Sequence, residues 1–252
     1  MDWKQYTGTF PVLTRDVDYM GTLRPASMLE MCQEVATIHS TGMGLSRETL
    51  LKNHGVVWVL TSLETHLDCL PVLGDEIAIT TQHMPTRHFF FPRYYTLTDA
   101  RTGQSFGTIA SLWVLMDIQT RRMQAPGEIA RMMPDNSDLV APAPLPAPVS
   151  ILSDAPQASE YHPLVTDLDL NRHVNNARYL DWCLNALGME TLTDFEISNF
   201  IANYRHEVLP DEPVTIELRR HDQQFSFSVM HHDTRCFDLS GSLRPRSKQA
   251  KA

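Results

Sequence analysis

The chain repeats itself. A displacement of 151 residues brings Phe10 onto Tyr161, Asp16 onto Asp167, Asp18 onto Asp169, Ala26 onto Ala177, Leu29 onto Leu180 and Cys32 onto Cys183. Asp68-Cys69-Leu70-Pro71 is also matched to Glu207-Val208-Leu209-Pro210 further along. Agreement at one offset over such a span restricts the fold to a single unit used twice. In the first copy, Tyr6, Phe10 and Val12 suggest a strand. Met28, Cys32, Val35, Ala36 and His39 then fall at helical spacing behind Pro25, a residue suited to a first helical turn. That helix should stop near Gly42 or Gly44, and a short second one should run from Ser46 to Asn53 and end at Gly55. From Val57 the apolar period switches to two, through Ile77 to Thr81, Phe89 to Leu97 and Phe106 to Met116, with a turn across Asp99 and Gly103.

The second copy follows the same order. A strand is expected over Tyr161 to Val165, and a helix carries Leu180, Cys183, Leu184 and Leu187 up to a capping Gly188. Alternating strands then follow around Val214, Phe225 and Phe237. A helix with one apolar stripe needs a sheet to cover it, so each half is expected to be an antiparallel sheet wrapped round a helix, an α+β fold. The boundaries expected are 1–133 for the first domain, a proline-rich linker over 134–150, a second domain over 151–243, and a basic disordered tail over 244–252.

The copies differ where polar groups crowd together. In TDLDLNRHVNNARYLDW, Asp169, Asn171 and His173 lie at i, i+2 and i+4, which share one face of an extended chain. The first copy has Asp18, Met20 and Thr22 there. Scaffold positions match and reactive ones do not, which predicts one active half and one half that shapes a substrate tunnel. Asp167 matches Asp16 and reads as structural, as does Cys183 against Cys32. Asn175 or Asn176 is suited to capping the helix. In His231-His232-Asp233, neighbouring histidines on a strand would point apart, and the spacing is not that of a metal site.

The net charge of −9 argues against general nucleic-acid binding. Four scattered cysteines without a CxxC read as reduced, cytoplasmic thiols. MDWKQYTGTFPV has neither a basic nor an apolar leader region, so no signal peptide is expected, and no apolar run is long enough to span a membrane.

DLDLNRHVNNARYLDW resembles the D-x-N-x-H-V-N-N-x-x-Y signature of the acyl-acyl carrier protein (acyl-ACP) thioesterases, and DYMGTLRPASMLEMCQEVA resembles that family's N-terminal part. The resemblance covers nearly the whole chain. It implies two tandem hotdog folds, no metal and no organic cofactor. It also implies hydrolysis of fatty-acyl thioesters on acyl carrier protein (ACP) to free fatty acid. Carried over by position, the family's aspartate, asparagine and histidine fall on Asp169, Asn171 and His173. Its Y-R-x-E glutamate falls on Glu207. Plant members place a cysteine after that glutamate. Val208 stands there in this chain, which favours attack by water over a thiolate.

A thiol leaves readily, with a pKa of roughly 8 to 9, so a base and an oxyanion site suffice. Glu207 is expected as the base and Asn171 as a ligand of the water or carbonyl. His173 would polarise the site and protonate the thiolate, and Asp169 would orient both. The backbone N–H groups of Val174 and Asn175 are expected to hold the oxyanion. Arg87, Arg93, Arg121 and Arg122 are candidates for meeting the acidic carrier. The chain would act as a monomer or a homodimer. Two other readings keep the fold: an acyl-CoA thioesterase, and a silent acyl-binding protein.

Overall fold

The computed structural model describes residues 3–246. The chain divides into two compact units, Met1–Pro146 and Ala147–Ala252. In the first, β1 (Gln5–Pro11), β2 (Val56–Leu67), β3 (Glu76–His83), β4 (Phe91–Asp99) and β5 (Ser105–Asp117) form an antiparallel sheet in the order β1-β3-β4-β5-β2. Helix α1 (Pro25–Gly42) packs on β1 and β3. Its stripe is core: Met28, Cys32 and Val35 are 1%, 0% and 0% exposed. Helix α2 (Arg47–His54) starts where the Ser46 side chain accepts the Thr49 N–H and stops at left-handed Gly55. The β4–β5 turn is tied by the Asp99 carboxylate, which accepts the N–H groups of Arg101 and Thr102. A two-residue β6 (Met123–Gln124) and the short α3 (Gly127–Met132) follow, too brief to announce themselves by periodicity.

The second unit repeats this plan with β7 (Gln157–Tyr161), α4 (Arg178–Asp194), β8 (Phe195–Tyr204), β9 (Val214–His221), β10 (Gln224–His231) and β11 (Thr234–Pro245). Within it the strand order is β8-β11-β10-β9-β7, all antiparallel. Each unit is a hotdog fold. The core gathers aromatic rings: Tyr179 stacks on Phe237 at 4.7 Å and meets Trp182 at 5.1 Å.

Several boundaries differ from expectation. The strand before the site stops at Tyr161, because Pro163 cannot donate to a ladder and residues 165–167 turn into a 3₁₀ helix. Gly188 interrupts α4 with φ 75° and ψ 162°, a conformation essentially reserved for glycine, and helix resumes to Asp194. Strand β8 escaped the alternation rule because its pairing with β11 slips between Ser242 and Leu243, burying the adjacent Ile197 and Ser198 together. The tail expected from 244 begins too early: β11 continues to Pro245, and Arg244 pairs with Glu196 at 2.7 Å. Arg246 is held as well, donating its Nε to the Leu192 carbonyl at 2.8 Å, and residues 247–252 lie outside the described residues.

The proline-rich stretch over 134–150 is not free along its length. Asn136 is 1% exposed and donates to the carbonyls of Lys4 (3.0 Å) and His83 (2.8 Å). Asp138 pairs with Lys4 at 2.8 Å, and Gln82 donates to the Val140 carbonyl at 3.0 Å. Four polar side chains, Asn136, Asp138, Lys4 and Gln82, thus tie down its first half.

Arg93, 7% exposed, cannot reach a carrier protein. Its guanidinium donates to His39 Nδ1 (3.0 Å), Thr81 Oγ1 (3.1 Å) and Ser40 Oγ (3.1 Å). His39 Nε2 is 2.7 Å from the Trp3 carbonyl and donates to it, so the ring is neutral and Nδ1 is the acceptor. Burial first, and then the Arg93 charge, push both His39 and His83 down to about 4. Between pH 4 and 6.5 the native state therefore binds fewer protons than the unfolded chain, whose histidines titrate near 6.5. This contribution to stability is complete above pH 6.5 and is lost as pH falls towards 4. Melting measured across that window should show a loss on the order of 3 kcal/mol for each histidine, and a His39→Gln/His83→Gln variant should flatten the slope.

Candidate active site

The segment joining β7 to α4 is a compact loop organised by carboxylates. Asp167 Oδ2 accepts the Leu164 N–H at 2.8 Å and the Tyr161 hydroxyl at 3.3 Å. Asp169 Oδ1 accepts the N–H groups of Asn171 (2.7 Å) and His173 (3.3 Å), and its Oδ2 accepts from Asn171 Nδ2 at 3.1 Å. The segment is therefore a turn rather than the extended chain expected, because two backbone donors fold back onto one carboxylate.

The first unit builds the same loop almost bond for bond. Asp16 Oδ2 accepts the Leu13 N–H at 2.9 Å, and Asp18 Oδ1 accepts from Met20 (2.9 Å) and Thr22 (3.0 Å). The Asp18 N–H meets the Thr22 carbonyl at 2.8 Å as the Asp169 N–H meets that of His173 at 2.9 Å. Where Gly21 has φ 78°, Arg172 has φ 63°, a left-handed turn made without glycine. The loop shape thus belongs to the repeat. Asp167 is structural as expected, and half of the Asp169 carboxylate serves the same end.

The loop also fixes the register of the repeat. The Leu23 N–H donates to the Pro71 carbonyl at 2.8 Å, and the Val174 N–H donates to that of Val208 at 3.0 Å. Asp75 accepts the Val72 N–H just as Glu212 accepts that of Leu209. Pro71 therefore corresponds to Val208 and Leu70 to Glu207, two residues away from the match read between the two LP-ending tetrapeptides. The first unit has Met20, Thr22 and Leu70 where the second has Asn171, His173 and Glu207.

Glu207, on the segment after β8, reaches His173: Oε2 lies 3.3 Å from Nε2, with the two side chains 38% and 24% exposed. A carboxylate and an imidazole in contact, both open to solvent, can exchange a proton with a bound water. Asn171 lies at the rim, held by Asp169. The four side chains expected from the sequence thus form two touching pairs, Asp169 with Asn171 and His173 with Glu207.

The backbone donors need correction. The Val174 N–H is committed to the Val208 carbonyl, and the Asn175 N–H to the Asp167 carbonyl at 2.8 Å. Neither is available to an oxyanion. The His173 N–H is bound to Asp169 Oδ1. The N–H groups of Ala177 and Arg178 are bound to Asn175 Oδ1 and its carbonyl. Of positions 173–178, the N–H of Asn176 alone has no acceptor among the described residues. Asn175 does not cap the helix as its residue type suggested: the N-cap is Ala177, which has no side-chain cap, and Asn175 Oδ1 accepts the Ala177 N–H at 2.9 Å in the turn ahead of it.

Tyr179 belongs to the motif but was given no role from sequence. It is 3% exposed, and its phenol is pushed well above the usual range by burial first, then by Cys236, Glu207 and Asp169. It therefore stays protonated beside the site. Burial also pushes the Cys183 thiol far up, in keeping with packing rather than nucleophilic chemistry. The rings of His231 and His232 sit 4.4 Å apart rather than on opposite faces, because His232 turns the chain with φ 52°.

Two hotdog units, of which the second carries the His173–Glu207 pair on a loop scaffold that both share, define a double-hotdog protein. The chain belongs to the acyl-ACP thioesterase family: the family's N-terminal domain matches residues 3–132 and its C-terminal domain residues 152–240. Among its relatives is the chloroplastic oleoyl-acyl carrier protein thioesterase 1 of Arabidopsis thaliana, 25% identical over 228 residues, which cover 84% of this chain and 63% of the relative. A chloroplastic oleoyl-acyl carrier protein thioesterase of Coriandrum sativum is 27% identical over 229 residues, covering 84% of this chain and 62% of the relative. The chain thus spans less than two thirds of the length of these relatives. The acyl-ACP thioesterase of Bacteroides thetaiotaomicron has the same fold, with a TM-score of 0.86 at 21% identity over 97% of this chain and 100% of the other.

Proposed function

We propose that the protein hydrolyses the fatty-acyl thioester of acyl carrier protein, releasing free fatty acid and holo-ACP by direct attack of water. The observation that carries this reading is the 3.3 Å contact between His173 Nε2 and Glu207 Oε2, in the one half where the equivalent positions are not Thr22 and Leu70. Family membership supports the substrate class.

Glu207 accepts a proton from a water as its oxygen adds to the thioester carbonyl. Asn171 holds the water or the carbonyl oxygen, its amide set by Asp169. The N–H of Asn176, at the positive end of α4, is the backbone donor suited to the oxyanion. Collapse of the tetrahedral intermediate breaks the C–S bond. The thiolate regains the proton from Glu207, directly or through His173. The reduced cysteines fit a cytoplasmic setting.

Parallel kinetics on one acyl chain carried by ACP and by coenzyme A test this reading. Higher kcat/KM on the ACP thioester is the expected result. Preference for the coenzyme A thioester would overturn the substrate assignment, and thiol release from neither would overturn the enzymatic one.

A further inference from the structure

The repeat serves as an internal control for the segment that carries Glu207. In both units the chain leaving the strand keeps an equivalent backbone bond to its neighbour: the Asp68 N–H to the Phe106 carbonyl at 3.0 Å, and the Arg205 N–H to the Cys236 carbonyl at 2.9 Å. The ladders agree with that equivalence, since Leu67 faces Gly107 as Tyr204 faces Phe237. Thr108 and Asp238 are therefore equivalent, as are Asp68 and Arg205. At the position of Asp238 the first unit has Thr108, which carries no charge, and its Asp68 carboxylate accepts from the Ser105 hydroxyl at 2.7 Å.

Asp238 is 1% exposed in the middle of a sheet, which is costly for a carboxylate unless it is fully paired. Arg205 Nε lies 2.6 Å from its Oδ2 and Arg235 Nε 3.2 Å from its Oδ1, and Ser228 Oγ donates to Oδ1 at 3.2 Å. Arg205 and His206 both donate their N–H groups to the Cys236 carbonyl, at 2.9 Å and 3.1 Å. Two residues beyond Arg205 is Glu207. Two beyond Cys236, back in the sheet, is Asp238. Tyr204, just before this segment, is tied through its hydroxyl to the Asn176 carbonyl at 3.1 Å, beside the loop that holds His173.

We infer that the buried Asp238–Arg205 ion pair is a positioning device for Glu207, clamping the segment after β8 so that the glutamate meets His173. It is present in the half that has a carboxylate to position, and replaced by Asp68 and Thr108 in the half that has Leu70. The sheet does not need it, since the first unit makes the same ladder without it. This inference rests on the reading of Glu207 as the base.

The test is a double-mutant cycle on acyl-ACP hydrolysis, using the acyl chain that the unaltered protein turns over fastest. Arg205, on the exposed side of the pair, is replaced by Ala in the native and Glu207→Gln backgrounds, and Asp238→Asn is made as an independent break of the same contact. Arg205→Ala and Asp238→Asn should each lower the melting temperature, because one partner of a buried pair is lost, and, measured where both variants remain folded, should each lower kcat roughly tenfold to a hundredfold at near-native KM, as displacement of a reacting group by about 1 Å does. Arg205→Lys should recover part of the loss. In the Glu207→Gln background, Arg205→Ala should cost less than about twofold more, because the group it positions is gone. An equal factor in both backgrounds, or no loss of kcat, would overturn the inference. Near-native activity of Glu207→Gln alone would instead overturn the assignment of the base, whatever Arg205 does.

Discussion

Glu207→Gln is expected to reduce kcat on acyl-ACP by about 10²–10⁴-fold, the usual contribution of a positioned base. The melting temperature should hardly move. Glutamine keeps the size and an acceptor towards His173 Nε2 while removing the ability to take a proton. Glu207 is 38% exposed, so the change neither empties the core nor strands a buried charge. Single-turnover kinetics and a thermal melt on the same preparation check both halves of this expectation. A folded Glu207→Gln protein that hydrolyses acyl-ACP at close to the native rate would refute the base assignment.

The chain supplies its own template for a second result of similar size. Asn171→Met/His173→Thr/Glu207→Leu gives the second unit the side chains that the first carries on the same loop. Asp169 and Asp167 remain, so every scaffold bond of the loop is retained, and the triple variant should fold with activity reduced to background. Its loss should be close to that of the worst single change rather than the product of all three, because groups acting on one water fail together. Three factors that multiply would show that the residues act independently and would contradict a shared site.

The fold was largely legible because the repeat doubled every signal. Met28, Cys32 and Val35 marked one helix, and Leu180 and Cys183 marked its counterpart at the same offset. Strand β8 was not legible, because a bulge buried Ile197 beside Ser198 and spoiled the alternation on which strand reading rests. Asp169, Asn171 and His173 were legible as chemistry but not as geometry. Their spacing suggested an extended face, whereas a side chain capping its own backbone made a turn. Glu207 came from the family resemblance, and its true counterpart Leu70 emerged from a hydrogen bond to Pro71 rather than from matched letters. The oxyanion donors at Val174 and Asn175 failed for a related reason. Sequence says where a helix begins but not which N–H groups the preceding loop has already taken.

The carboxylate that ties the turn, Asp18 in one copy and Asp169 in the other, has a wider consequence. An architecture that keeps its outline without its reactive groups is free to lose them. Resemblance in outline then says little about whether a given copy still works. For proteins assembled this way, competence has to be judged from three side chains, and a superposition of backbones would pass a dead copy as readily as a living one.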